Sequence, residues 1–216
     1  MSDKKEKMTF LQWLDNFWYH HKAPTIIGAF ALVMVVVASC QFFSKKEPDV
    51  FIYYVGETNI KVNSELMREE LAGLCAEDYN GDGKTVVDYK KDEFVMVDEG
   101  DGKKQVYNPS EQSTTTMRFN LELMEGDAVI YIMDKSYFEN NLDYFEDLSN
   151  VLGYEHEDAI SGKGIKLSDL YVYWNTSMKA YSEDCMICVR TKKDKFSDEY
   201  YEGNVEFFKN LVEYSG

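Results

Sequence analysis

Nineteen consecutive residues, Thr25–Phe43 (TIIGAFALVMVVVASCQFF), carry no charge. As a helix rising about 1.5 Å per residue they span roughly 28 Å, close to the hydrocarbon thickness of a bilayer. Ten of them are Ile, Leu, Val or Phe, and each of these favours insertion by about 0.3–0.6 kcal/mol. Just upstream, Phe10, Leu11, Trp13, Leu14, Phe17 and Trp18 recur at helical spacing and form one apolar face. Thr9 and Gln12 have the spacing of a capping box. Trp13, Trp18, Tyr19 and Lys22 suit the headgroup layer. The pattern predicts a cytoplasmic or interfacial amphipathic segment over 1–24, turning at Pro24 into a transmembrane helix over 25–43. A polar linker over 44–49 and an extracytoplasmic domain over 50–216 follow.

Beyond the span, short apolar runs alternate with amphipathic stretches. Val50–Val55 predicts a strand ended by Gly56. Asn63 is placed to cap a helix to about Ala76, with Leu66, Met67, Leu71 and Leu74 inward. Asp78–Lys84 (DYNGDGK) is rich in turn formers. Thr85–Tyr89 and Phe94–Val97 predict two strands, joined as a hairpin across Lys90–Glu93, and Glu99–Asn108 a loop. Pro109 opens a helix to about Glu125, with Met117, Leu121 and Met124 on one face, and Gly126 stops it. Ala128–Met133 (AVIYIM) is a continuous apolar strand, of the kind buried on both faces. Ser136–Phe145 predicts a helix, Asp147–Gly153 a short turn or helix, and Leu170–Trp174 and Met186–Arg190 two more strands. Asp198–Tyr214 closes the chain as a helix carrying Phe207, Phe208 and Leu211. This alternation predicts an α/β fold, a mixed, mostly parallel sheet flanked by helices.

Charge refines the picture. Residues 44–216 hold 19 basic and 36 acidic side chains, a net −17, while the first 43 residues carry +1. So acidic a domain does not bind nucleic acid by neutralising phosphates, and it is repelled by anionic lipid. Lys4, Lys5, Lys7 and Lys22 precede the span and Lys45 and Lys46 follow it, which favours a single-pass protein of the cell membrane with a cytoplasmic N-terminus. Val37-Ala38-Ser39-Cys40 has the look of a bacterial lipobox, which would lipidate Cys40. The long aromatic segment before it and the apolar Phe42 and Phe43 after it favour an uncleaved signal anchor.

The element order resembles the first lobe of bacterial extracytoplasmic solute-binding proteins. The likeness rests on Val50–Val55 with its following helix and on the run Leu123-Met124-Glu125-Gly126-Asp127 into Ala128–Met133. Tyr137-Phe138 and Asp147-Leu148-Ser149 extend it. It covers residues 50–153 and implies a single solute-binding-protein-like lobe. That family binds ligand between two lobes, and this chain has the length of one. The whole chain looks most like single-pass bacterial membrane proteins, and the resemblance implies a lobe put to another use or completed by a partner.

Candidate chemistry is sparse. Asp78-x-Asn80-x-Asp82-Gly83 has the spacing of an EF-hand-type calcium loop, with the Lys84 carbonyl next and Asp88 at position 11, where the following strand either brings it round or does not; Tyr89 stands where the loop wants a bidentate Glu. A solvated turn uses the same residues, so structural calcium is the one cofactor to consider. Cys185 and Cys188 form a CxxC inside an apparent strand, which points them to opposite faces and disfavours a local disulfide. Carboxylate pairs such as Asp98-Glu99 come with no nucleophile or base, and His156 stands alone among acids. Tyr171, Tyr173 and Trp174 are candidate interaction aromatics, the two tyrosines sharing one strand face. The sequence therefore predicts a non-enzymatic, membrane-anchored binding or interaction domain of a cell-envelope complex. The alternative is a single-lobe receptor for a sugar or peptide.

Overall fold

The computed structural model describes residues 9–43, 48–57, 63–74, 77–94, 96–98, 105–107 and 109–215. Cys75, the charged residues 1–8 and most of the 44–49 linker lie outside them. The chain divides into two units, 1–46 and 47–216.

Among the described residues of the first unit there is one helix, α1 (Phe10–Phe43), with Pro24 inside it. The expected turn at Pro24 is not there: helix runs unbroken through it. The capping box forms, with Thr9 N–H on Gln12 Oε1 at 3.0 Å and Gln12 N–H on Thr9 Oγ1 at 3.4 Å. Phe10, Trp13 and Phe17 stack along one side. The apolar side chains from Ile26 to Val37 are exposed, and α1 is long and apolar enough to cross a membrane. Trp13, Trp18, Tyr19 and Lys22 are all exposed on it.

The second unit is a six-stranded sheet between two layers of helices. In chain order its elements are β1 (Val50–Glu57), α2 (Ser64–Ala72), β2 (Val87–Phe94), β3 (Met96–Asp98), β4 (Gln105–Tyr107), α3 (Pro109–Glu125), β5 (Ile130–Asp134), α4 (Lys135–Glu139), α5 (Leu148–Leu152), β6 (Ala159–Ile160), β7 (Gly164–Lys166), α6 (Tyr171–Asn175), β8 (Cys185–Val189) and α7 (Asp198–Glu213). The sheet order is β2-β1-β5-β8-β7-β6, and β3 and β4 form a separate ribbon. β2 and β5 flank β1 in parallel, whereas β8, β7 and β6 follow antiparallel. The sheet is mixed, with its parallel half confined to β2-β1-β5.

Strand alternation sorts the core into two layers. Val50, Ile52 and Tyr54 of β1, Ile130 and Ile132 of β5 and Ile187 of β8 face α2, α5, α6 and α7. Tyr53, Val55, Tyr131, Met133 and Met186 face α3 and α4. α2 is capped as expected, Asn63 Oδ1 accepting from Glu65 and Leu66 N–H. Met67 and Leu71 face the core, but Leu66 is exposed.

Local expectations are corrected here: Gln105–Tyr107 of the expected loop is strand β4, and the helix expected over Ser136–Phe145 ends at Glu139. The charged run Lys90–Glu93 is the middle of one long edge strand, not a hairpin turn. Its charges alternate between the two faces of the sheet and pair there: Lys91 with Glu93 on one, Lys90 with Glu122 and the buried Asp92 with Arg118 on the other. Met117, Leu121 and Met124 share one face of α3 as expected, and that face is the solvent-exposed one, at 72, 61 and 64%; the other buries Thr115, Phe119, Glu122 and Leu123. Leu170–Trp174 is not a strand: Leu170 leads into the one-turn helix α6.

Candidate functional site

The chain leaves β1 toward β2 on one side and returns to it through β5 on the other. In a parallel sheet that reversal opens a crevice at the carboxyl ends of the two central strands, the usual place for a ligand. Here the crevice lies between Tyr54–Gly56 of β1 and Met133–Asp134 of β5, with Cys185 of β8 beside Asp134.

It is filled from within. Tyr181 stacks on Tyr54 with ring centroids 4.2 Å apart and hydrogen-bonds the hydroxyl of Tyr89. All three rings are buried. The Cys185 thiol donates to Asp134 Oδ1 at 3.5 Å. A Cβ on Gly56 would lie 2.5 Å from Asp134 Oδ1 and 2.7 Å from the Tyr54 hydroxyl, so a larger residue there would have to displace one of those side chains. Burial above all keeps Tyr89 and Tyr181 protonated; the Tyr181 hydroxyl and Glu93 add to the rise at Tyr89, whereas at Tyr181 the bond to Tyr89 works against burial and Glu93 works with it. Burial and then Asp134 push the Cys185 thiol well up. A thiol held protonated is a poor nucleophile. Cys185 and Cys188 belong to opposite core layers, and both are free thiols. This end of the sheet can hold shape; its buried groups are not set for nucleophilic or redox work.

The Asp78–Lys84 loop closes on its own amides. Asp78 Oδ1 accepts from Gly81 and Asp82 N–H, and its Oδ2 from Gly83 N–H at 2.5 Å. Asn80 Oδ1 takes Asp82 N–H, and Asp82 Oδ1 takes Lys84 N–H. Gly81 and Gly83 adopt positive φ of 71° and 81°, where glycine is at ease. Asp88 is not drawn to the loop; it pairs with Arg68 at 3.0 Å. Among the described residues no group of three or more His, Cys, Asp or Glu is gathered to hold a metal ion. The loop is anchored by Asp49, fully buried, whose carboxylate accepts from Asn80 N–H at 3.0 Å and Val86 N–H at 2.7 Å.

The candidate aromatics part company because α6 is helical. Val172 and Tyr173 turn inward, and the Tyr173 hydroxyl donates to Tyr181 O at 2.9 Å. Tyr171 and Trp174, one helical turn apart, are half-exposed at 50 and 55%. Thus Tyr171 shares a face with Trp174, not with Tyr173. The indole N–H of Trp174 donates to Ser168 O at 2.9 Å, which fixes the ring.

Sequence reasoning missed a buried polar seam under α3. Arg190, 4% exposed, donates through Nη1 to Glu122 O at 3.2 Å and to the Tyr131 hydroxyl at 3.1 Å, and through Nη2 to Leu123 O. The Glu122 carboxylate receives Lys90 at 2.9 Å and Ala128 N–H at 3.3 Å. Asp92 takes the Tyr53 hydroxyl and Arg118. The signal was there: Glu122 and Arg190 are single charges set against apolar neighbours. Beside the seam, Lys193 Nζ donates to Met124 O at 3.1 Å and Gly126 O at 3.0 Å. Burial, then Arg190 and Lys195, pull its amine down to about 8. Unfolding restores the ordinary lysine value, so above about pH 8 the unfolded chain holds the extra proton and stability rises with pH until that range is passed. At pH 8, brief treatment with acetic anhydride should acetylate Lys193 ahead of Lys179 and Lys192, read by peptide mass spectrometry. Equal labelling of the three would contradict the lowered value.

Compared with protein-family models, curated proteins and solved structures, the chain matches none of them.

Proposed function

We propose that this chain is a membrane-anchored, non-enzymatic interaction domain of a cell-envelope assembly, held by α1 with its N-terminus cytoplasmic and residues 50–216 outside. The observation that supports this best is the outer face of α3. Met117, Leu121 and Met124, at i, i+4 and i+7, expose most of their surface on a helix whose other side is anchored by charge pairs and packed rings. Methionine and leucine stripes of this kind adapt to a partner's surface.

The test is a photo-crosslinking residue at Met117 in native membranes. A discrete protein adduct is expected, and Leu121→Asp should abolish it while leaving stability within about 0.5 kcal/mol, since Leu121 packs little in the free domain. A stripe that yields only lipid adducts would sink the reading.

The second reading, a one-lobe receptor for a sugar or peptide, has the parallel β2-β1-β5 arrangement in its favour and a tyrosine-filled crevice against it. Thermal unfolding against sugars and short peptides separates the two, because a ligand at about 100 times its Kd adds about 2.7 kcal/mol. Calcium belongs on the same panel: a rise in melting temperature that is lost in Asp78→Ala would make the 78–84 loop a structural metal site.

A further inference from the structure

Tyr171 and Trp174 form an exposed aromatic pair whose surroundings differ from those of α3. Trp174 is held edge-on against buried Tyr173, with ring centroids 4.9 Å apart and an interplanar angle of 89°. Together with its bond to Ser168 O, this leaves the ring little freedom to lose on binding. Tyr171 leans on Tyr214 at 5.9 Å. Exposed, pre-fixed aromatic rings are what binding hot spots are made of.

The charges nearby are mainly negative. Asp169 precedes α6, and Glu183 and Asp184 follow it, all exposed. Glu183 acts on the Tyr173 hydroxyl, and all three carboxylates act on Lys166, which is paired with Asp184 at 3.0 Å. Lys179 is the other cation of this stretch. The wider domain carries −17. A second copy of so acidic a domain is repelled, and anionic lipid and nucleic acid are repelled likewise. An arginine or lysine is drawn in by the same field, and it stacks favourably on an indole face.

We propose that the Tyr171–Trp174 face, in a stretch that also exposes Asp169, Glu183 and Asp184, docks a Lys/Arg-bearing segment of a partner protein. This rests on the interaction-domain reading but uses a surface on the opposite side of the sheet from α3, so either can fail without the other.

Trp174 is the only tryptophan after residue 18, and the experiment uses that. The full chain in detergent, with Trp13→Phe and Trp18→Phe, is titrated with a ten-residue peptide of alternating Arg and Gly. A Gln–Gly peptide and a neutral maltooligosaccharide serve as controls. Tryptophan emission should change with the arginine peptide alone. Affinity should fall about tenfold in Tyr171→Ala, the order expected of one aromatic anchor. A similar fall is expected in the triple variant Asp169→Asn, Glu183→Gln, Asp184→Asn. Neutralising Glu125, Glu139 and Asp143, on the opposite face, changes net charge equally and should leave affinity unchanged. Equal loss in both triple variants would reduce the effect to diffuse attraction and overturn the proposal. A response to the oligosaccharide alone would make the face a glycan platform, and a response to protein concentration alone a self-association surface; either overturns it too.

Discussion

Arg190→Met is expected to destabilise the 47–216 unit by about 3–4 kcal/mol. For a domain of this size that is a fall of roughly 10 °C in melting temperature, followed in the full chain by near-ultraviolet circular dichroism. The last carbonyls of a helix have no partner within it, and they carry the negative end of the helix dipole. Arg190 brings positive charge to this end of α3 and donates to Leu123 O; it also donates to Glu122 O, which already accepts from Gly126 N–H at 2.8 Å, and to the Tyr131 hydroxyl. Its own ends are fixed, since its N–H donates to Val129 O at 2.8 Å and its carbonyl accepts from the Tyr201 hydroxyl at 2.8 Å. Methionine keeps the apolar stem and removes the fork, so the loss reports the polar contacts rather than a cavity. Arg190→Lys should recover only part of it, because an ammonium cannot address three acceptors in one plane. A loss below about 1 kcal/mol in Arg190→Met would show that α3 does not depend on this contact.

Asn204→Ala should cost about 3 kcal/mol. Asn204 is fully buried in α7 and clamps the start of β1: its Oδ1 accepts Phe51 N–H at 3.0 Å, and its Nδ2 donates to Asp49 O at 3.0 Å and Tyr200 O at 2.8 Å. Alanine leaves the Phe51 donor and the Asp49 acceptor buried and unmet. The effect should reach further than the side chain, because Asp49 also holds the amides of Asn80 and Val86. Hydrogen exchange should therefore quicken at Phe51, Asn80 and Val86 together. Asn204→Asp should be worse than alanine, since a carboxylate can accept from Phe51 but faces two carbonyls it cannot serve. Faster exchange at Phe51 alone would separate the loop from the clamp.

Much of this architecture was legible where sequence pattern and burial coincide. Ala128–Met133 and Met186–Arg190 have the apolar continuity of buried strands, and both are buried on both faces. Asn63 and the Asp198–Tyr214 periodicity announced their helices. Elsewhere tertiary context outweighed local pattern. Tyr171–Trp174 is aromatic and β-branched, the composition of a strand, yet burying Val172 and Tyr173 while freeing Tyr171 and Trp174 needs a helical turn. Four charges in a row at Lys90–Glu93 looked like a turn because the sequence does not announce an edge strand whose charges find partners on α3 and on β2 itself. β6 and β7 are too short, at two and three residues, to leave a periodicity. On α3 the sequence pointed to its apolar Met117–Met124 face, while the buried face includes Thr115 and Glu122, whose polarity is satisfied by contacts no single-sequence pattern reveals. The site fared similarly: the calcium-type spacing of Asp78–Asp82 was visible, but the pairing of Asp88 with Arg68 was not.

The clamp of Asn204 on β1 has a consequence for how the chain comes into being. The strand emerging first after α1 is completed by a side chain 153 residues further on, across the hydrogen bond to Phe51. On the ribosome β1 therefore waits, with Val50, Ile52 and Tyr54 lacking α7 over them, until almost the whole polypeptide has been made. Partners so distant in sequence close slowly, and an uncovered central strand is a site for mispairing in the meantime. A chain broken off before α7 would carry the apolar helix α1 and an open apolar sheet face, so stalled products of this gene should be bound by chaperones or degraded rather than accumulate.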